Sequence, residues 1–108
     1  MSAKPQFKTQ YPLAVPVKFA VGQSVRVRKA AQPGHIRTPF YIRGHSGTIE
    51  RLCGSFPNPE ELAQMRDGLP AQPLYRVRFR QKDVWPDYAG SGDDVLEIEI
   101  FQHWLEKP

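Results

Sequence analysis

The chain is poor in the residues that staple folds, ligate metals or cross membranes. Among its 108 residues there is one cysteine, Cys53. That excludes an internal disulfide and any cysteine-rich metal site built by this chain alone. No apolar run approaches the ~20 residues a spanning helix needs, and no secretory pattern opens the chain, so a cytoplasmic location is expected. The three histidines, His35, His45 and His103, show no local ligand spacing, and nothing matches a zinc or EF-hand pattern. Acid is scarce in the first half. Residues 1–54 hold nine Lys/Arg against Glu50 alone, whereas residues 55–108 hold six against ten acids. Internal repeats and low-complexity segments are missing too. Eleven prolines leave little room for long helices. One domain with a modest core fits this length.

What is present is alternation. Ser24-Val25-Arg26-Val27-Arg28-Lys29 reads as a strand with its valines inward and its arginines outward. Gly47 to Leu52 reads as a second strand. Leu74 to Arg80 places Tyr75, Val77 and Phe79 on one face and arginines on the other. Val95 to Ile100 buries Leu96, Ile98 and Ile100, and the closing Phe101-Gln102-His103-Trp104-Leu105 fits one turn and a short strand. Asn58-Pro59-Glu60-Glu61 is a helix start, with Asn as cap, Pro first inside and Glu61 set to complete a capping box. Gly68 and Pro70 limit that helix to about Pro59–Arg66. Lys82 to Asp94 reads as a loop interrupted by Val84-Trp85. These elements predict a mainly β fold: a small SH3-like antiparallel barrel over residues 19–108, with one short helix. Residues 1–18 are expected to form an extended N-terminal arm, held in place only by a partner.

Most chemistry is poorly served. Gly44-His45-Ser46-Gly47 has the wrong spacing for a nucleophile elbow, and a strand follows it, so a glycine turn is the better reading. Asp87, Asp93 and Asp94 are solvated turn acids rather than a cation site. Arg26, Arg28, Arg76, Arg78 and Arg80 face outward and could form a phosphate-binding stripe or a solubilising face. The segment from Pro33 to Gly47 differs in kind. It is long, it is stiffened by Pro33 and Pro39, and it is allowed sharp turns by Gly34, Gly44 and Gly47. Such a loop suits presentation of Arg37 and Arg43 to an oxyanion, because a guanidinium offers its donors as a fixed fork.

At this loop the sequence resembles the C-terminal SH3-like barrel of the nitrile hydratase β-subunit family. The residues that carry the resemblance are Phe19, Val21-Gly22-Gln23 and Val25-Arg26-Val27-Arg28, then Pro33-Gly34-His35-Ile36-Arg37, Pro39, Tyr41, Arg43-Gly44 and Gly47. It continues through Phe56-Pro57, Leu74-Tyr75, Val77, Phe79 and the closing Leu105-Glu106 and Pro108. Family departures are an absent helical N-terminal half and Asp83-Val84-Trp85-Pro86 in place of a Glu-Leu-Trp-Gly-like segment.

The resemblance implies a lyase that adds water to a C≡N bond and is assembled from several chains. In the family an α chain binds non-corrin Co(III) or non-haem Fe(III) through a Cys-x-x-Cys-Ser-Cys claw, two of whose cysteines are oxidised to sulfinic and sulfenic acids. This chain lacks the claw, so it is expected to bind no metal itself. The family's arginine that hydrogen-bonds those oxygens falls on Arg37, with His35, Tyr41, Arg43, Gly44 and Gly47 in supporting positions. A chain with only the C-terminal half resembles the split arrangement of thiocyanate hydrolase and of three-subunit nitrile hydratases. Its expected partners are a metal-binding α-like subunit and a second, β-like N-terminal-half subunit, with a small nitrile or thiocyanate as substrate. It is not expected to be active alone. The alternatives are an accessory protein for maturation of the metal-binding subunit and a stand-alone basic barrel that binds nucleic acid. Fixed stoichiometry in an active complex separates the first from a permanent subunit; steep salt dependence of nucleic-acid binding marks the second.

Overall fold

A computed structural model describes residues 12–29 and 40–108 of the chain. Five strands form one antiparallel sheet: β1 (Ser24–Val27), β2 (Ser46–Phe56), β3 (Gln72–Arg80), β4 (Val95–Phe101) and β5 (Leu105–Glu106). Their spatial order is β4-β3-β2-β1-β5. The mainly β architecture expected from the alternating segments is therefore present. Among the described residues its hydrogen-bonded ladder does not close: β4 and β5 each have one neighbour and form the two edges of the sheet.

Period-two patterning drives the assembly. Val25, Val27, Ile49, Tyr75, Val77, Phe79, Ile100 and Leu105 all point into one core, where Phe19, Ile42 and Trp104 join them. Leu96 and Ile98 pack against that core while staying partly exposed. Burying each of the larger side chains contributes about 1.5–3 kcal/mol, and these residues come from every strand, so the sheet and its core form together.

Strand β2 runs four residues beyond the expected end at Leu52. Its pairing with β3 shifts register between Ile49 and Arg51 and again between Leu52 and Gly54, then continues to Phe56 opposite Gln72. Each irregularity resets the inside–outside alternation, so a reading that follows strict period two stops too early.

Helix α1 (Pro59–Leu62) is also shorter than its sequence suggests. Asn58 caps it as expected, its Oδ1 accepting from the Glu60 N–H at 3.0 Å. Glu61 does not complete a capping box but takes Arg66 Nη1 at 3.2 Å. The chain then reverses at Met65, which has φ 64°. Arg66 N–H donates to Glu61 O and Met65 N–H to Leu62 O, the paired closing bonds of a Schellman turn.

A second single-turn helix, α2 (Gln81–Val84), occupies the start of the segment read as a loop. Val84 is buried and anchors it against the core. A short 3₁₀ turn (Gln102–Trp104) precedes β5, matching the turn and closing strand expected there.

Part of the expected arm lies within the described residues. There the chain is extended, and Gln102 fastens it to the sheet. The buried Gln102 side chain accepts from Lys18 N–H at 2.9 Å and donates to Pro16 O at 3.0 Å. Its Oε1 also accepts from the Tyr75 hydroxyl. Phe19 completes the attachment edge-on to Tyr75, with ring centroids 5.8 Å apart. Pro16–Phe19 is thus held by the chain's own core rather than only by a partner.

Candidate functional site: the arginine-bearing loop and its mounting

Residues 30–39, which include His35 and Arg37, lie outside the described residues. The two ends of the loop are described, and both are fastened to the same small region. On the entry side, Arg28 N–H donates to Trp104 O at 2.9 Å, and Arg28 Nε donates to His103 O at 3.1 Å. On the exit side, Gly44 N–H donates to Val27 O at 2.8 Å and Val27 N–H donates to His45 O at 2.9 Å. A 3₁₀ turn at Phe40–Ile42 sets Ile42 fully into the core.

Four residues assigned to support the loop can be placed. Gly44 adopts φ +83°, which a side chain would strain, and its Cα faces the aliphatic part of Lys29. Gly47 serves a different purpose from a loop hinge. A Cβ there would stand 2.7 Å from Arg78 O and 2.8 Å from the Phe79 ring, so glycine lets β2 cross closely over β3. Arg43, expected to support the loop, has its guanidinium over the Trp104 ring, 5.2 Å from the centroid. That contact ties the exit of the loop to the turn before β5. Tyr41 is half-exposed and stacks on Trp85, with centroids 5.1 Å apart and an interplanar angle of 30°. Trp85 Nε1–H donates in turn to Gln81 Oε1 at 2.7 Å.

Sequence reading missed three members of this mounting: Gln102, Trp104 and the partner of His103. His103 Nε2 and the buried Glu60 Oε1 share a 2.6 Å hydrogen bond that joins α1 to the 3₁₀ turn. No local spacing announces such a pair, since its members come from distant elements. Among the described residues no group of three or more His, Cys, Asp or Glu is arranged to hold a metal ion. Cys53 is half-buried with its Sγ 3.9 Å from Glu99 Oε2.

The outward arginines are organised rather than displayed as a stripe. Arg76 pairs with Glu99 at 3.2 Å; Arg78 pairs with Glu97 at 3.0 Å and with Glu50 at 3.8 Å. Arg26 and Arg28 both reach Glu106, at 2.9 and 3.3 Å. From β4 to β5 the outer face thus reads acid, base, acid, base, acid. The hydrogen bond to Glu99 raises the pKa of Arg76 further above its already basic value. Phosphate would have to compete with a carboxylate for each of these guanidinium groups, which weakens the nucleic-acid reading. No described helix is long and apolar enough to cross a membrane.

Residues 8–107 match the family model described as nitrile hydratase β subunit, C-terminal. The chain belongs to that family. The family's match takes in both fastened ends of the loop and the loop itself. Family relatives include the nitrile hydratase β subunit of Pseudomonas chlororaphis, 38% identical over 90 residues, covering 82% of this chain and 40% of that one. The thiocyanate hydrolase α subunit of Thiobacillus thioparus is 38% identical over 91 residues, covering 83% of this chain and 71% of that one. Among solved structures, recombinant apo thiocyanate hydrolase from Thiobacillus thioparus superimposes with a TM-score of 0.82 at 37% identity, over 89% of this chain and 80% of that chain. The chain spans about two fifths of the length of the nitrile hydratase β subunits it matches first.

Proposed function

We propose that this chain is the small β-like subunit of a hetero-oligomeric nitrile hydratase or thiocyanate hydrolase-type metalloenzyme, inactive alone, and that Arg37 reaches across the subunit boundary. The observation that carries this reading is the family match over residues 8–107, which includes the whole Pro33–Gly47 loop. The loop's mounting supports it. The described ends of the loop, at Arg28 and at Gly44–His45, are both hydrogen-bonded to the sheet or to the turn before β5.

In this reading the partner α-like subunit carries the cobalt or iron, and its oxidised cysteine ligands accept hydrogen bonds from Arg37. A metal held there supplies Lewis-acid polarisation for adding water to the C≡N bond of a nitrile or thiocyanate. Arg37 keeps the oxygenated sulfur ligands in one orientation through its planar fork. His35 orients the loop beside it. Tyr41, Arg43 and Gly44 hold the exit in place, and Gly47 sets the β2–β3 crossing that follows it. Residues 1–18 form the arm and 19–108 the barrel. The half-exposed Leu13 and Val17 give that arm apolar contacts to offer a second, β-like N-terminal-half subunit.

The test is reconstitution with a Cys-x-x-Cys-Ser-Cys subunit and the N-terminal-half chain. Turnover is expected only from the full set of subunits. Arg37→Lys is expected to keep the circular-dichroism spectrum and the assembly while losing at least one charge-assisted bond of about 1.5–3 kcal/mol. That corresponds to roughly ten- to a hundred-fold in rate. Unchanged turnover in Arg37→Lys, or turnover by the isolated chain, rejects the assignment.

A further inference from the structure

The two edges of the sheet are treated very differently. Edge strand β5 is two residues long, which leaves almost nothing for another strand to pair with. Edge strand β4 is seven residues long, pairs with β3 at every position from Val95 to Phe101 without a register shift, and among the described residues has no strand on its other side. It contains no proline and no bulge, two of the devices that blunt a free edge. On its inner face Leu96 and Ile98 pack on the core but stay partly exposed, so a minor part of their apolar surface is left uncovered. On its outer face Glu97 and Glu99 end the acid–base series that crosses the sheet.

We propose that the free edge of β4 receives an extended segment of a partner protein, one whose side chains alternate between basic and apolar. The backbone of the incoming strand would take up the unpaired peptide groups of β4. Its apolar side chains would complete the cover over Leu96 and Ile98, and its lysines or arginines would stand opposite Glu97 and Glu99, continuing the alternation of charge by one more strand. A second copy of this chain does not suit the position. Antiparallel pairing of two β4 edges would set Glu97 and Glu99 of one copy against the same carboxylates of the other. The inference is independent of the role given to Arg37, and its test needs no other subunit.

The probe is a capped octapeptide alternating lysine and valine, titrated into the ¹⁵N-labelled full chain and followed by amide shifts and hydrogen exchange. Saturable binding is expected, with shifts and slowed exchange concentrated on Val95–Phe101. Methylating alternate backbone nitrogens of the peptide should weaken binding by about tenfold or more, because the strand bonds are lost while the charges remain. Glu97→Gln combined with Glu99→Gln should also weaken it by about tenfold. A glutamate–valine peptide should not bind. No saturable binding, shifts centred away from β4, equal binding of the methylated or the acidic peptide, or an unaffected double variant would each overturn the proposal. So would a concentration-dependent dimer that protects the β4 amides. If the double variant does not fold, the peptide and its methylated form on the unmodified chain decide the matter.

Discussion

The β2–β3–β4 meander and the region around the loop are built on different principles. The meander has long strands whose neighbours in sequence are neighbours in space, a repeating inward apolar set and cross-strand ion pairs at Arg76–Glu99 and Arg78–Glu97. Its stability is spread over many similar contacts. The other side, comprising β1, the loop ends, the arm and the turn before β5, depends on single long-range contacts. Gln102 holds the arm, Trp104 holds both loop ends, and Glu60 holds His103. Repetition makes a scaffold tolerant; singular contacts make a mounting specific. The region proposed to meet other subunits is the one whose geometry depends on individual side chains.

Breaking the meander should cost most. Phe79→Ala opens a cavity under β3 and is expected to destabilise the fold by about 3–5 kcal/mol, measured by urea unfolding. Gly47→Val comes next, because its added carbons meet the Arg78 carbonyl and the Phe79 ring. A loss of about 1–3 kcal/mol is expected from overpacking, with the largest chemical-shift changes at the β2–β3 crossing.

The mounting should yield locally. Gln102→Leu leaves the Tyr75 hydroxyl and the Lys18 N–H without their acceptor, at about 1–3 kcal/mol. Fast exchange should appear at Lys18 and Phe19 while the β3–β4 amides stay protected. If the whole sheet loosens equally, the contrast between the two regions is wrong. Arg43→Gln removes the cation from the Trp104 ring, at about 0.5–2 kcal/mol. It should perturb Trp104 fluorescence and the loop amides rather than the meander.

Two milder tests sharpen the comparison. Burial raises the pKa of Tyr75, partly offset by the backbone N–H groups of Phe19 and Lys18. Its folded value lies above its unfolded one, so the neutral phenol's contribution is fully present below about pH 10 and is lost as pH rises through the folded value. Alkaline unfolding should follow, and Tyr75→Phe should flatten that dependence. Glu97→Gln in the meander should cost the least, within about 1 kcal/mol, because exposed pairs contribute little.

The residues that were legible in advance share a property: their environment repeats along the chain. Tyr75, Val77 and Phe79 declare a buried face because each is two residues from the next, and Asn58 declares a helix start because its bond is local. The extension of β2 beyond Leu52 was not legible, since two irregularities interrupt the repeat. At the candidate site, the loop's family likeness was readable from Pro33 to Gly47. The contact of Arg43 with the Trp104 ring was not, because Trp104 is far away in sequence. The same applies to Gln102, whose amide reads as an ordinary polar residue until Pro16, Lys18 and Tyr75 surround it.

By itself, then, the sequence determined that the chain would be a small antiparallel β domain with an apolar inner face, and that its one unusual segment lies between β1 and β2. Those facts follow from local preferences and from alternation, which act between near neighbours. Tertiary structure decided which arginines are paired and, among the described residues, which strands form the edges of the sheet. It also decided where the loop is anchored. Each of these depends on distances between residues that only the folded backbone brings together, where charge and packing act at a few ångströms irrespective of order along the chain.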